Sequence, residues 1–356
     1  MLNTVRATID LAALRHNLSV VRELCPTSRI MAMVKADAYG HGVLPVARAL
    51  HAADGFAVAR LAEALELRRA GIAQRILLLG TLLDRADLEL CAQQDIDVTL
   101  HDLGSLALFA DCAARNPLRL WLKLDTGMHR LGLAPDEFRS AAQRLRNAPG
   151  VRELLQLTHF SAAEEPDGAT LEKQLAVFRA LPTDDNASSL ANSAALISRP
   201  DTRAQWVRPG IMLYGMNPLG AAHPLALRPV MTLRAAVLAV RRLPRGETVG
   251  YNGLWTAPRD SVIATVGIGY GDGYPRHARS GTPVAINGQL GTLVGRVSMD
   301  SITVDITDLN PVRAGDEATL WGELPVADSV ASHADTISYE LFTSLSARVT
   351  REYINA

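Results

Sequence analysis

From residue 29 to residue 213 the chain alternates short apolar runs with helical patterns, and this alternation limits the fold more than any other feature. The runs are 29–34, 56–59, 76–79, 97–100, 118–124, 154–160, 188–191 and 205–213. Short, mostly apolar strands are what a parallel sheet covered on both faces requires. Between them Val43, Val46, Ala47 and Leu50 share a helical face, and 61–70 is a helix stopped by Gly71. Further helical patterns cover 84–94, 106–109, 135–148 and 170–181. Eight such units predict an α/β fold, a (β/α)8 TIM-like barrel. A doubly wound open sheet is the competing architecture. Ahead of the barrel, 4–9 reads as extended, and Asp10 could cap a helix carrying Leu11, Leu14, Leu18, Val21 and Leu24 on one face.

Active sites of such barrels lie at the C-terminal ends of the strands. The residues with chemistry to offer fall there: Lys35 after the first strand, Lys123 and Asp125 after the fifth, and His159 after the sixth. Asn192 and Ser193 follow the seventh strand, and Arg208 lies on the eighth. A lysine at the end of a buried strand is costly unless it is paired, deprotonated or covalently bonded. The last two states describe a Schiff-base lysine. Singly, each residue has a plainer reading. Lys35 could snorkel, His159 could be a bonded core histidine, Lys123 and Arg130 could be surface charges, and Arg208 could anchor a turn.

After Arg228-Pro229 the helical spacing stops. Strands are expected at 231–240, 262–268, 283–286, 301–306 and 318–321, with turn signals such as Asn287-Gly288 between them. A last amphipathic helix would carry Leu341, Leu345 and Val349. The expected division is 1–228 for the barrel and 229–356 for a mostly β domain with a terminal helix, and residues 1–10 could pair into the second domain's sheet. Tyr251 and Tyr270 sit among glycines, which permit close approach or are simply β-turns. The formal net charge of −1 gives no drive toward nucleic acid or anionic membrane. No apolar run is long enough to span a bilayer, and the N-terminus has no signal-like apolar core. Cys25, Cys91 and Cys112 cannot all pair, so reduced thiols and a soluble cytoplasmic protein are expected.

The motifs become specific in combination. Val34-Lys35-Ala36-Asp37-Ala38-Tyr39-Gly40-His41-Gly42, Lys123-Leu124-Asp125-Thr126-Gly127-Met128-His129-Arg130-Leu131-Gly132 and Thr158-His159-Phe160 occur in order. Asn192-Ser193-Ala194, Arg208-Pro209-Gly210-Ile211, Val249-Gly250-Tyr251, Gly269-Tyr270-Gly271-Asp272-Gly273, Ser298-Met299-Asp300 and Ile337-Ser338-Tyr339-Glu340 follow. Over essentially its whole length the sequence resembles the bacterial alanine racemases, pyridoxal-phosphate enzymes built from a barrel and a β domain.

The resemblance implies roles position by position. Lys35 would bind pyridoxal 5'-phosphate covalently and act as one catalytic acid/base, with Tyr251 as the other. Arg208 would face the pyridine nitrogen, and His159 would link Arg208 to Tyr251. Tyr39, Ser193, Gly210, Ile211 and Tyr339 would hold the phosphate. Arg130 and the Met299 backbone would orient the substrate carboxylate. Lys123, at a position often carbamylated in this family, would steady Arg130, with Tyr270 and Asp300 also supporting the site. Tyr251, Tyr270 and Met299 would come from the partner subunit, so a homodimer is implied. Asn252 stands where glycine is more usual. The implied reaction interconverts L- and D-alanine, supplying D-alanine for peptidoglycan or consuming it. Rival readings are a barrel-type decarboxylase or a racemase for other substrates, a non-catalytic carrier of the cofactor, and a metal-dependent barrel hydrolase. Tyr339 near the substrate methyl favours alanine, the β domain with Tyr251 argues against a carrier, and the lack of ligand-spaced partners for His159 argues against a metal site.

Overall fold

The first strand, β1 (Val5–Asp10), stands outside the barrel, and Asp10 caps the next helix by accepting from the backbone N–H groups of Ala12 and Ala13. In this computed structural model, which describes residues 5–80, 82–112, 117–165, 168–181 and 188–356, the barrel strands come next. They are β2 (Arg29–Met33), β3 (Gly55–Val58), β4 (Arg75–Leu78), β5 (Ile96–Leu100), β6 (Leu118–Lys123), β7 (Val151–Leu157), β8 (Ser188–Ser189) and β9 (Trp206–Val207). Each pairs parallel with the next, and β9 returns to β2 through Arg29–Trp206 and Ile30–Val207. That closure excludes the open doubly wound sheet. The eighth strand is shorter than its apolar run. Pro209 has no N–H to give a ladder, Gly210 leaves the extended region, and Ile211–Tyr214 winds into a buried 3-10 turn. Residue 4 and the preceding residues lie outside the described residues.

The N-terminal end of the barrel is sealed by a buried ionic network. Asp97, fully buried, accepts from Arg119 Nε at 2.6 Å and from Trp121 Nε1 at 2.9 Å, with Arg75 Nε 3.5 Å away. The guanidinium groups of Arg75 and Arg29 lie 5.2 and 5.5 Å from the centre of the Trp206 ring, an arrangement that favours the cations over the ring face.

The remaining strands are β10 (Met231–Leu243), β11 (Thr248–Val249), β12 (Trp255–Thr256), β13 (Ser261–Val266), β14 (Pro283–Ile286), β15 (Gln289–Leu293), β16 (Ile302–Asp305), β17 (Glu317–Trp321) and β18 (Thr350–Ile354). β1 is inserted antiparallel to β10 and parallel to β18. Past a bulge at Val237 and Ala239 the second half of β10 pairs with β13, so the sheet curls on itself. Asn287 and Gly288 both have positive φ, as the type I′ turn joining β14 to β15 demands. The terminal helix is a correction: it covers only Ser338–Thr343, and the chain ends in a strand. Beyond it Ser346 N donates to Asp272 O, and the Arg351 guanidinium holds the carbonyls of Leu345, Ser346 and Val349, so the segment leads as a turn into β18. Among the described residues no helix is long and apolar enough to cross a membrane, and the three cysteines are free.

Candidate active site

A cavity of about 740 Å³ opens at the C-terminal ends of the barrel strands. It is lined by Lys35, Lys123, His159, Ser193 and Arg208 from the barrel rim, and by Ile337, Tyr339 and Glu340 from the second part of the chain. Lys35 begins a turn whose next residues, Ala36, Asp37, Ala38 and Tyr39, all have left-handed backbone with φ of 52–53°. Left-handed backbone costs a residue with a Cβ roughly 1–2 kcal/mol, so the turn must be held by its surroundings. Glu63 Oε1 accepts from Ala36 N at 2.6 Å, and Asp37 Oδ1 accepts from Val43 N at 2.7 Å. The turn places the Tyr39 ring against Tyr214, with centroids 4.9 Å apart, and against Tyr339 at 5.7 Å.

Tyr39 and the segment after β9 form a cradle. A Cβ on Gly210 would lie 2.7 Å from the Tyr39 hydroxyl, so only glycine fits without displacing that ring. Gly210 N donates to Ser193 Oγ at 2.9 Å. Asn192 has a structural task here: its side chain caps the helix Ser193–Ser198 by accepting from Ala195 N. Arg208 is buried and donates through Nη1 to Ser189 O and Oγ, and through Nη2 to Leu190 O and, by a short bond, to Thr158 O. With these groups on backbone and hydroxyl acceptors, no hydrogen bond joins Arg208 to His159 among the described residues.

The cavity is electropositive. Burial lowers the Lys35 pKa, Arg130 lowers it further, and Glu63 opposes the shift. Burial, then Arg208 and Arg130, bring Lys123 down to about 8, partly offset by Asp125. Burial and the same cations push His159 down to about 3, so its ring is neutral at neutral pH. Burial lowers Arg208 to about 10, which leaves it a cation there. Burial raises the Tyr39 and Tyr339 hydroxyls, which therefore stay protonated. Such a site suits an anion-bearing ligand, and its lysine is poised as a nucleophile.

Tyr251, Tyr270 and Met299 do not line this cavity; they are 67%, 40% and 53% exposed on the β domain. Tyr251 follows β11, and Asn252 beside it adopts φ 61°, the left-handed backbone that explains a preference for glycine there. The loops carrying Tyr270 and Met299 are tied together by Tyr270 N to Ser298 O and Gly271 N to Met299 O. Gly269 permits this approach, since a Cβ would lie 2.3 Å from Ser298 O. Asp300 pairs with Arg348, which also reaches Asp272. Sequence reasoning missed Glu63, Glu164 and Tyr214. Glu164 lines the cavity, and Tyr214 donates to Met33 O. None of the three lies in a motif that marks it, and Glu63 caps a helix that has no Ser, Thr, Asp or Asn before it.

Comparison with known proteins adds an independent line. The family model "Alanine racemase, N-terminal domain" matches residues 9–218, and "Alanine racemase, C-terminal domain" matches 230–353. The alanine racemase of Chromohalobacter salexigens is 48% identical over 98% of each chain. A catabolic alanine racemase of Pseudomonas putida is 45% identical over 98% of each. The crystal structure of the biosynthetic alanine racemase of Pseudomonas aeruginosa superposes with a TM-score of 0.95 at 44% identity, covering 98% of this chain and 99% of that one. That of Bartonella henselae, with covalently bound pyridoxal phosphate, gives 0.90 at 34% identity and 99% coverage of both. Two family models that together span nearly the whole chain, relatives at this identity and a solved structure of the same fold lead to one conclusion: the chain belongs to the alanine racemase family.

Proposed function

We propose that this chain interconverts L-alanine and D-alanine with pyridoxal 5'-phosphate as its cofactor. The observation that carries the reading is the cavity, where a half-buried lysine of lowered pKa adjoins a cradle that a Cβ at Gly210 would fill, among Lys123, Arg130 and Arg208. Those donors fit an anionic aldehyde cofactor. Tyr39, Ser193 and Tyr339, with the backbone N–H groups of Gly210 and Ile211, would hold its phosphate. Arg208, which only donates, would face the ring nitrogen and keep it unprotonated. When bound, the cofactor supplies an electron sink that acidifies the amino acid's α-carbon.

The chain's own residues then move the proton. From D- to L-alanine, Lys35 Nζ takes the α-proton from one face and Tyr251 Oη supplies one to the other; from L to D the two exchange roles. Arg130 and the Met299 backbone orient the carboxylate. The neutral fraction of Lys123 can add carbon dioxide and lose a proton, giving a carbamate that pairs with Arg130 in place of a repelling cation. Tyr339 limits the space beside the α-carbon to a methyl group. Three unpaired thiols support a reducing, cytoplasmic setting.

Because Tyr251, Tyr270 and Met299 stand exposed on the β domain, the reading requires a homodimer in which each cavity receives them from the partner. Co-expression tests this directly. Lys35→Ala and Tyr251→Phe chains are each inactive alone, yet a mixed dimer has one cavity with both groups intact. Random pairing then gives about a quarter of wild-type racemisation. No recovery in a verified mixed dimer would contradict the shared site.

A further inference from the structure

We propose that His41 is a positioning residue for the cofactor site: its Nδ1–H grips the carbonyls of Ala38 and Tyr39 and so fixes the left-handed turn that aims Lys35 and Tyr39. The proposal rests on the roles given above to Lys35 and Tyr39. Four consecutive residues with side chains hold left-handed backbone here, and of these only Asp37 is of a type that visits it readily. Such a segment persists only where its peptide groups are fixed from outside. His41 Nδ1 lies 2.8 Å from Tyr39 O and 3.1 Å from Ala38 O. The next carbonyl, of Gly40, accepts from Arg351 Nε at 3.1 Å. Three successive carbonyls of the turn are therefore held by side-chain donors.

The chemistry of the ring fixes its form. Both neighbours of Nδ1 are acceptors, so Nδ1 carries the hydrogen. Nε2 is then a bare acceptor, buried without a partner among the described residues. An orphaned acceptor is a cost, so the imidazole earns its place through Nδ1. Burial holds the ring's pKa near 4, which keeps this neutral form through the neutral range. The ring packs on Tyr214 at 4.6 Å and meets Phe342 edge-on at 5.2 Å. Tyr214 in turn backs the Tyr39 ring, so His41 supports Tyr39 through both its carbonyl and its aromatic face. The backbone that follows is closely packed. A Cβ at Gly40 would meet Phe342 O at 2.1 Å, and one at Gly42 would meet the Tyr353 hydroxyl at 1.9 Å.

Asparagine places an amide donor where Nδ1 stands, leucine has the same size without a donor, and glutamine moves the amide toward the Nε2 position. The test compares His41→Asn, His41→Leu and His41→Gln in the full-length protein. It reads pyridoxal-phosphate affinity by absorbance titration, hydrogen exchange of the peptide spanning 34–43 without cofactor, and the thermal midpoint. The expected result is a cofactor dissociation constant raised about tenfold or more in His41→Leu and His41→Gln, with faster exchange of that peptide. His41→Asn should restore affinity to within about threefold, although its thermal midpoint is no higher than that of His41→Leu. Affinity that follows the thermal midpoint across all variants, or unchanged exchange in His41→Leu, overturns the proposal. If His41→Leu does not fold, the Asn and Gln pair decides by the same criteria. If wild-type protein binds no pyridoxal phosphate, the reading of the site fails, and the exchange data still decide whether His41 holds the turn.

Discussion

Lys35→Ala is expected to lower racemisation by at least about 10³-fold and to release pyridoxal phosphate on dialysis. The size follows from Lys35 having two tasks, covalent attachment and proton transfer on one face. Both need an amine that gives up its proton easily. Burial of the side chain and the nearby Arg130 lower its pKa, while Glu63 limits the effect. The alanine variant keeps β2, because the strand ends at Met33 and the turn is held by the Glu63 and Asp37 carboxylates, which accept from Ala36 N and Val43 N and which the substitution leaves alone. Its thermal midpoint should therefore stay close to that of wild type stripped of cofactor, and with cofactor present a short alkylamine diffusing into the vacated space should restore part of the activity. A variant that keeps activity within tenfold of wild type would remove Lys35 from the reaction.

The second large effect lies at the other end of the barrel. Asp97→Ala should destabilise the protein by about 2–3 kcal/mol, because it removes the buried carboxylate that Arg119 and Arg75 share, while Arg119 keeps Asp95 and Arg75 keeps Glu153. Trp121 Nε1 loses its acceptor as well. Thermal unfolding should show a midpoint several degrees lower. Asp136→Ala, whose pair with Arg139 is exposed on a helix, should leave the midpoint unchanged. Below the midpoint Asp97→Ala should racemise alanine normally, since the cavity lies at the opposite strand ends. An unchanged midpoint would mean that the network seals the barrel without stabilising it.

Much of this architecture is legible in the sequence because buried parallel strands are short apolar runs and little else. The same property misleads at 205–213, where the buried 3-10 turn Ile211–Tyr214 is as apolar as a strand. The run Leu341, Leu345 and Val349 has helical spacing, yet only the pairing of β18 with β1 and the carbonyl-binding Arg351 reveal that the helix ends early. β15 escapes notice because Gly291 weakens its pattern; a Cβ there would lie 2.7 Å from Asp305 O in β16. The site divides in the same way. Lys35, Lys123, His159, Ser193 and Arg208 are legible as chemistry at strand ends, and the cavity collects them. The left-handed turn is not, because of Ala36, Asp37, Ala38 and Tyr39 only Asp37 is of a type that visits that backbone readily. Its supports, Glu63, His41 and Arg351, act through backbone atoms that no side-chain motif records.

The most direct test is alanine racemisation in deuterated water. Purified protein with pyridoxal phosphate and L-alanine should lose optical rotation while deuterium enters the α-position of the D-alanine formed. Release of carbon dioxide, or stable rotation with no α-deuterium, would contradict the account.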